Sequence, residues 1–190
     1  MNKTLPVLLT AGLLAYPSLA ALPTGTAAPD IETQASFAGK AFAFSLKDDL
    51  RRGPVVVYFY PSAFTGGCNV QAHTFAENAD RFAAAGATII GVSLDSIDRL
   101  NAFSADPQYC AGKIAVASDR DGSIARSYDL SIREAVPGRK DTRGTEIDHG
   151  FAERTTFIVT PDGKIAATIG GLAPADNVEK ALVIVQSLPK

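Results

Sequence analysis

The hydrophobic pattern of the chain changes period several times, and each change predicts an element. Phe42, Phe44 and Leu46 alternate with small or polar neighbours, which predicts a half-buried strand closing a hairpin through Gly39-Lys40. A charged connector, 47–53, follows. Val55-Val56-Val57-Tyr58-Phe59-Tyr60 is apolar throughout and comes after Gly53-Pro54, so it reads as a strand buried on both faces. Val70, Ala72, Phe75, Ala76, Ala79, Phe82 and Ala83 then recur at helical spacing up to Ala85-Gly86, which predicts one helix. The run 87–94 is a second buried strand. Asp95 and Ser96 offer N-caps to a helix over 97–104, which Asp106-Pro107 breaks, and Cys110 falls in a small loop. A short strand is predicted over 114–118 and a helix over 123–128. The polar stretch 129–153 has no period, and a loop of that length is usually functional or mobile. Strands over 155–159 and 165–169 flank the turn Pro161-Asp162-Gly163-Lys164. Pro174 opens a last helix with Val178, Ala181, Leu182 and Val185 on its core face.

This order is a hairpin, then alternating strands and helices, then a hairpin and a helix. It predicts an α/β fold with a central mixed sheet flanked by helices. Cys68 lies where the buried strand 55–60 ends and the next helix begins, the edge of an open α/β sheet where ligands and chemistry collect.

Composition adds an address and removes some partners. The chain has 190 residues, 46% hydrophobic and 20% charged, with a formal net charge of -2. That suits a single globular domain and gives no basic surface for nucleic acid. Residues 1–20 differ from the rest. Lys3 is their only charge, 5–15 is apolar, and Ser18-Leu19-Ala20 is a small-x-small cleavage site, so they read as a secretory signal peptide. Residues 21–30 read as a linker with nothing to bury, and 31–190 as the folded domain. No other segment is long and apolar enough to span a membrane. The expected location is outside the cytoplasm, in a bacterial periplasm or secreted. In such an oxidising compartment two cysteines, Cys68 and Cys110, are too few for a disulfide scaffold and suit a working pair, or one working thiol and a bystander.

The octet Pro61-Ser62-Ala63-Phe64-Thr65-Gly66-Gly67-Cys68 concentrates the chemistry. A cysteine in the first turn of a helix meets unpaired N–H groups and the positive end of the helix dipole, an environment that favours a reactive thiolate. Gly66 and Gly67 let the backbone approach a small reactant, Thr65 supplies a hydroxyl, and Pro61 fixes the exit from the strand. A buried structural cysteine is the alternative use of Cys68.

Pro61, Thr65 and Cys68 match Pro-x-x-x-Thr-x-x-Cys, the signature of the peroxiredoxins. The chain resembles that alkyl-hydroperoxide-reductase/thiol-specific-antioxidant family over about 31–187, and most nearly its Q-type, bacterioferritin-comigratory branch. The resemblance implies a thioredoxin-like fold with an N-terminal hairpin and no cofactor. It implies a thiol peroxidase in which Cys68 attacks a hydroperoxide, whether hydrogen peroxide or an organic one, and becomes a sulfenic acid. Arg154, just before the strand 155–159, matches the arginine that faces the reactive cysteine in these enzymes. Thr65, Arg154 and the N–H groups at Gly67 and Cys68 are then the donors for the peroxide. Some Q-type relatives carry a resolving cysteine near the helix equivalent to 97–104, which gives Cys110 that role. The implied reductant is a thioredoxin-like or other dithiol protein. Two positions depart from the branch: Gln71 stands where it commonly has Glu, and His73 where it often has a resolving cysteine.

Other chemistry competes with this reading. Cys68, His73, Cys110 and His149 make a conceivable soft metal set, as in a copper-binding thioredoxin-fold protein. Thiol–disulfide exchange of the thioredoxin type uses Cys-x-x-Cys, and position 71 is Gln. A non-catalytic interaction protein is a further reading. His73 and His149 read as solvated side chains, and Lys47-Asp48-Asp49 as solvated surface.

Overall fold

The computed structural model describes residues 21–189; the expected signal peptide lies outside them. The elements in chain order are β1 (Glu32–Phe37), β2 (Lys40–Ser45), α1 (Leu46–Leu50), β3 (Val55–Phe59), α2 (Gly66–Glu77), α3 (Ala79–Ala84), β4 (Thr88–Ser93), α4 (Ile97–Ala105), β5 (Ala115–Ser118), α5 (Ser123–Ser127), β6 (Ile132–Arg133), β7 (Phe151–Ala152), β8 (Thr155–Val159), β9 (Ile165–Gly170) and α6 (Pro174–Ser187). Among the described residues, seven strands form one mixed sheet in the order β2-β1-β5-β4-β3-β8-β9, and β6 pairs with β7 apart from it. β3, β4 and β5 run parallel, while β8 and β1 join them antiparallel. This is the expected α/β fold with a central mixed sheet and an N-terminal hairpin.

The apolar run of β3 is buried at every position, and its alternation divides the core. Val56 and Tyr58 face a layer holding α2, α3, α4 and α6, through Phe75, Phe82, Phe103 and Val178. Val55, Val57 and Phe59 face a second layer with α1, Tyr128 and Phe157. One close approach is required at Gly91 of β4, where a Cβ would come within 2.5 Å of the Tyr58 ring.

Several local expectations are revised. The connector 47–53 contains α1: Leu46 and Leu50, four residues apart, bury on one side, and the Ser45 hydroxyl accepts from Asp48 N at 3.4 Å. The single helix expected over 70–85 is two, broken at Asn78, whose Nδ2 donates to the Thr74 carbonyl at 2.9 Å. That break lets Phe75 and Phe82 meet, with ring centroids 5.6 Å apart. Val70 and Phe42 fit the apolar periods yet lie 47% and 39% exposed. Val70 is on the outer face of α2, and Phe42 is on the edge strand β2.

The segment 21–30 also has something to bury. Gly25 N donates to Ile165 O and Ala28 N to Gly163 O, each at 2.8 Å, so it runs beside β9, and Leu22 packs on the second core layer. The aperiodic stretch 129–153 is tied at its ends by β6 and β7, which pair Ile132 with Ala152 and Arg133 with Phe151. Its middle reaches the loop between β3 and α2: Thr142 N and its hydroxyl both donate to the Phe64 carbonyl, at 2.9 and 2.8 Å. Among the described residues no helix is long and apolar enough to cross a membrane.

Candidate active site

β3 delivers the chain to the end of the sheet at Phe59, and α2 starts seven residues later. Thr65 is the N-cap, with extended backbone (φ −116°, ψ 145°), and its side chain does not cap the helix. Its hydroxyl donates instead to the Ser62 carbonyl at 2.8 Å. The first intrahelical bond runs from Asn69 N to Thr65 O, so the N–H groups of Gly66, Gly67 and Cys68 lie ahead of the ladder. The first turn holds no acidic side chain to compete for them. Gly66 and Gly67 are exposed and Pro61 and Thr65 half-buried, whereas Cys68 is only 2% exposed. The sulfur therefore sits under a small opening made largely of backbone.

Arg154 comes from the other side of β3, immediately before β8, which pairs with it. Its Nη2 donates to Cys68 Sγ at 3.3 Å and its Nη1 donates to Gln71 Oε1. A planar, permanently charged fork suits two acceptors that differ in chemistry. Gly67 keeps the approach open, since a Cβ there would lie 3.3 Å from Arg154 Nη2 and 3.3 Å from Pro174.

Behind Arg154 runs a buried chain of amides. Gln71 Nε2 donates to Asn177 Oδ1 at 3.1 Å, Thr156 Oγ1 donates to the same oxygen at 2.6 Å, and Asn177 Nδ2 donates to the Ile169 carbonyl at 3.1 Å. The backbone carbonyl accepts only, so it fixes which way Asn177 faces. Asn177 in turn requires Gln71 to present its NH2, leaving the Gln71 oxygen for Arg154. The departure to Gln at position 71 is thus matched by Asn177 on α6. A neutral amide orients the guanidinium without cancelling its charge.

The loop 61–65 is held in a conformation a free chain would avoid. Phe64 has φ +59°, uncommon for a bulky side chain, and costs about 1–3 kcal/mol that its surroundings must offset. Thr142 holds the Phe64 carbonyl, the Arg143 guanidinium lies 3.1 Å from the Phe64 ring centroid, and Phe103 and Tyr109 meet the ring edge-on. Asp95 holds the preceding residues: Ala63 N donates to Oδ2 at 2.7 Å and Ser62 Oγ to Oδ1 at 3.1 Å. Arg99 closes the arrangement, donating to Asp95 Oδ1, the Ala63 carbonyl and Asp141 Oδ2 at 2.7, 2.9 and 2.9 Å.

Burial alone would push the Asp95 carboxyl up, but the His149 bond and charge, with the Ala63 N–H and the Ser93 hydroxyl, outweigh it and hold it below the usual carboxylate range. A folded value below the unfolded one means this stabilisation is present above the ordinary carboxylate range and is lost in acid, as pH falls through the folded value.

His149, read from the sequence as solvated, is 6% exposed and bonded to Asp95 at 2.9 Å. Asp95, read as an N-cap, lies at the centre of this network, and Ser96 caps α4 instead. His73 is exposed on α2 beside Glu77, at 3.3 Å. The four residues considered as a metal set are therefore engaged apart, His73 on the surface and His149 with Asp95.

Cys110 lies in the turn after α4, fully buried, and both cysteines are free thiols within the same core layer. Burial, with the Asp106 charge adding to it, pushes the Cys110 thiol well up. The Tyr58 phenol is pushed up by burial, then by Cys110 and Cys68, with Arg154 acting the other way, so this hydroxyl lies in the field of both sulfurs. Asn177, Arg99 and Asp141 carry no sign of a place in the site along the sequence, and His149 figures there only as a solvated side chain or a conceivable metal ligand. The usable signal was Ser93 and Asp95, polar residues at the end of an apolar strand.

Residues 24–168 match the AhpC/TSA family. The chain belongs to that family. It is a peroxiredoxin, a thiol peroxidase that takes a peroxide as substrate and a thiol as reductant. A putative peroxiredoxin of Mycobacterium tuberculosis is 32% identical over 150 residues, covering 74% of this chain and 88% of that one. Peroxiredoxin Bcp of Escherichia coli K12 is 32% identical over 117 residues, 62% of this chain and 68% of that one. Among solved structures, the peroxidoxin BcpB of M. tuberculosis superposes with a TM-score of 0.73 at 26% identity, over 89% of this chain and 99% of that one. The bacterioferritin comigratory protein of Xanthomonas campestris gives 0.64 at 25% identity, over 81% and 90%.

Proposed function

We propose that Cys68 is the cysteine that attacks the peroxide, assisted by Arg154 and Thr65, and that Cys110 resolves it. The observation that carries this reading is the 3.3 Å approach of Arg154 Nη2 to Cys68 Sγ at the start of α2. The Cys68 thiolate attacks the terminal oxygen of the hydroperoxide and forms an S–O bond as the O–O bond breaks. The electron pair leaves on the distal oxygen, which takes a proton to become water or an alcohol, and Cys68 is left as sulfenic acid. Arg154, the Thr65 hydroxyl and the N–H groups of Gly67 and Cys68 are the donors near the growing charge. Exposed Gly66 and Gly67 place no side chain beyond Cα in front of the sulfur, which supports hydrogen peroxide and organic hydroperoxides alike as substrates. The X. campestris relative is described for alkyl peroxide reduction. Consumption of hydrogen peroxide and of an alkyl hydroperoxide by the mature protein with a dithiol tests the reading, and Cys68 variants assign it.

For resolution the Cys110 thiol condenses with the sulfenic acid, releasing water and forming a disulfide that a thioredoxin-like or other dithiol protein then reduces. A disulfide needs Cα atoms within about 7 Å, and a buried, protonated thiol is a poor nucleophile. Closure therefore calls for unwinding of the first turns of α2, over 66–71, and for release of Cys110 from its turn. Left-handed Ala111 and Gly112 follow it, at φ +52° and +65°. Peroxide-treated monomer is expected to yield a Cys68–Cys110 peptide in non-reducing digests. Cys110→Ser should keep the first turnover and lose at least about tenfold in recycling by a dithiol protein, within the range of active-site effects. Undiminished recycling would assign a one-cysteine cycle.

The protein is also proposed to act outside the cytoplasm after cleavage behind Ala20, supported by Lys3, the apolar stretch and Ser18-Leu19-Ala20. Mass spectrometry of the exported fraction should find Ala21 as the N-terminus; intact Met1 in a cytosolic pool would refute export.

A further inference from the structure

Tyr58 sits in the middle of β3, with its phenol fully inside the core layer that holds both cysteines. Its register partner on β4 is Gly91, which has no side chain, and the ring lies down over that glycine: a Cβ at Gly91 would come within 2.6 Å of the phenol oxygen. The oxygen is thereby carried across β4 toward β5, whose Val116 pairs with Gly91 on the other side. The turn that carries Cys110 leads into β5. α2 covers the ring from the helical layer. Phe75 stacks on Tyr58 with centroids 4.5 Å apart, and Cys68 lies on the same buried face of that helix, about two turns earlier. Further rings reach the second sulfur: Tyr60 stacks on Tyr58 at 5.4 Å, Phe103 lies 6.2 Å from Tyr60, and Tyr109, next to Cys110, stacks on Phe103 at 5.4 Å.

In this position the Tyr58 hydroxyl has no hydrogen-bond partner among the described residues, neither sulfur included. Burial, with the charges at Cys110 and Cys68 adding to it and Arg154 opposing, pushes the phenol up, so it keeps its proton and remains a donor. The contrast with its surroundings is sharp, since Gln71, Thr156 and Asn177 are buried and paired with one another. A buried hydroxyl without a partner is costly, and the cost ends when water reaches it. The elements that keep water away are α2 and the Cys110 turn, the two that must move before Cys110 can meet Cys68.

We propose that Tyr58 is a positioning residue for resolution: its unpaired hydroxyl raises the energy of the closed packing and so favours the opening that brings Cys110 to Cys68. This rests on the reading of Cys68 as the attacking and Cys110 as the resolving cysteine. The chemistry of the step is unchanged. Cys110 sulfur attacks the Cys68 sulfenic acid, the S–S bond forms as the S–O bond breaks, and the thiol proton leaves with the hydroxide as water. The phenol sets how often the two sulfurs meet, and with it how long the sulfenic acid stays open to irreversible oxidation.

Tyr58→Phe removes the oxygen and keeps the ring stack. Reduced mature protein mixed with one equivalent of hydrogen peroxide should oxidise Cys68 at the wild-type rate. It should then form the Cys68–Cys110 disulfide about five- to tenfold more slowly, the low end of what an unpaired buried hydroxyl costs. In excess peroxide it should accumulate more Cys68 sulfinic acid than wild type, read by intact mass. It should also unfold at a higher temperature, which separates a relieved penalty from a lost bond. Disulfide formation at the wild-type rate overturns the proposal. So does lower thermal stability or failure to fold, because either would show the hydroxyl supporting the closed packing. If wild type itself forms no Cys68–Cys110 disulfide, the functional reading fails, and amide hydrogen exchange judges Tyr58 separately. Amides over 66–71 and 109–112 should then exchange about five- to tenfold more slowly in Tyr58→Phe, and equal exchange would rule out the phenol's role.

Discussion

Cys68→Ser is expected to abolish peroxide consumption, leaving only the rate in buffer. The substitution exchanges sulfur for oxygen with little change in volume, at a side chain 2% exposed in the first turn of α2. A serine hydroxyl stays protonated where a thiol can ionise, and oxygen offers no sulfenic acid to store the transferred atom. The loss is the whole enzymatic acceleration, on the order of 10⁶-fold at the low end of enzyme behaviour. The measurement is peroxide disappearance with a dithiol in excess, alongside thermal unfolding. Unfolding should move little, because Arg154 can still donate to the new hydroxyl. Full activity in Cys68→Ser would remove the basis for the proposed cycle, since Cys110 is the sole remaining sulfur nucleophile among the cysteines.

Arg154→Ala is expected to lower the rate of Cys68 oxidation by about 10²–10³-fold, the cost of removing one well-aimed donor from developing charge, about 2.7–4 kcal/mol. One nitrogen of Arg154 addresses the sulfur and the other is anchored on Gln71. Arg154→Lys keeps the charge but cannot bridge both partners, so it recovers only part of the rate. Asn177 gives a graded companion. Asn177→Leu removes the acceptor that orients Gln71 and leaves the Arg154 charge in place, and is expected to cost about tenfold, less than the loss for a 1 Å misplacement. Stopped-flow oxidation of the reduced protein by a single equivalent of peroxide reads all three. An Arg154→Ala protein that reacts at the wild-type rate would reduce the guanidinium to a structural part. An Asn177→Leu protein as slow as Arg154→Ala would mean that α6 does more than orient it.

Much of this protein is legible along the chain because the signals are local. The apolar run of β3 is short, β-branched and aromatic after Gly53-Pro54, which marks a buried strand, and Gly66-Gly67-Cys68 ahead of a helical period leaves little side chain in front of the sulfur. The signature Pro61, Thr65 and Cys68 is a contiguous motif. Arg154 was picked out through the family resemblance, by its place just before the strand that pairs as β8 beside β3. The misplaced details are also local in origin. Helical spacing continues through Asn78, so the break between α2 and α3 leaves no trace in the apolar pattern. Val70 fits the helical period but lies on the exposed side of α2.

His149, Asp95, Arg99, Asp141, Thr142 and Asn177 are a different matter. Read along the chain, each is a polar residue in a loop or at an element's end, a description that fits solvated surface. Their roles arise largely from contacts far along the chain, such as Asp95 with Ala63 across 32 positions and Asn177 with Gln71 across 106. Burial makes these groups important. Once water is excluded, every donor and acceptor must find a partner in the protein, and the pairing fixes orientation and charge. The sequence by itself determined the sheet-and-helix order and a cysteine at a helix start, and the resemblance its short motif carries marked the arginine at the strand start, because period, turn residues and a motif are properties of neighbours. Only the tertiary structure decided what holds that cysteine's loop and aims that arginine, because hydrogen-bond partners are chosen by proximity in space, which packing sets.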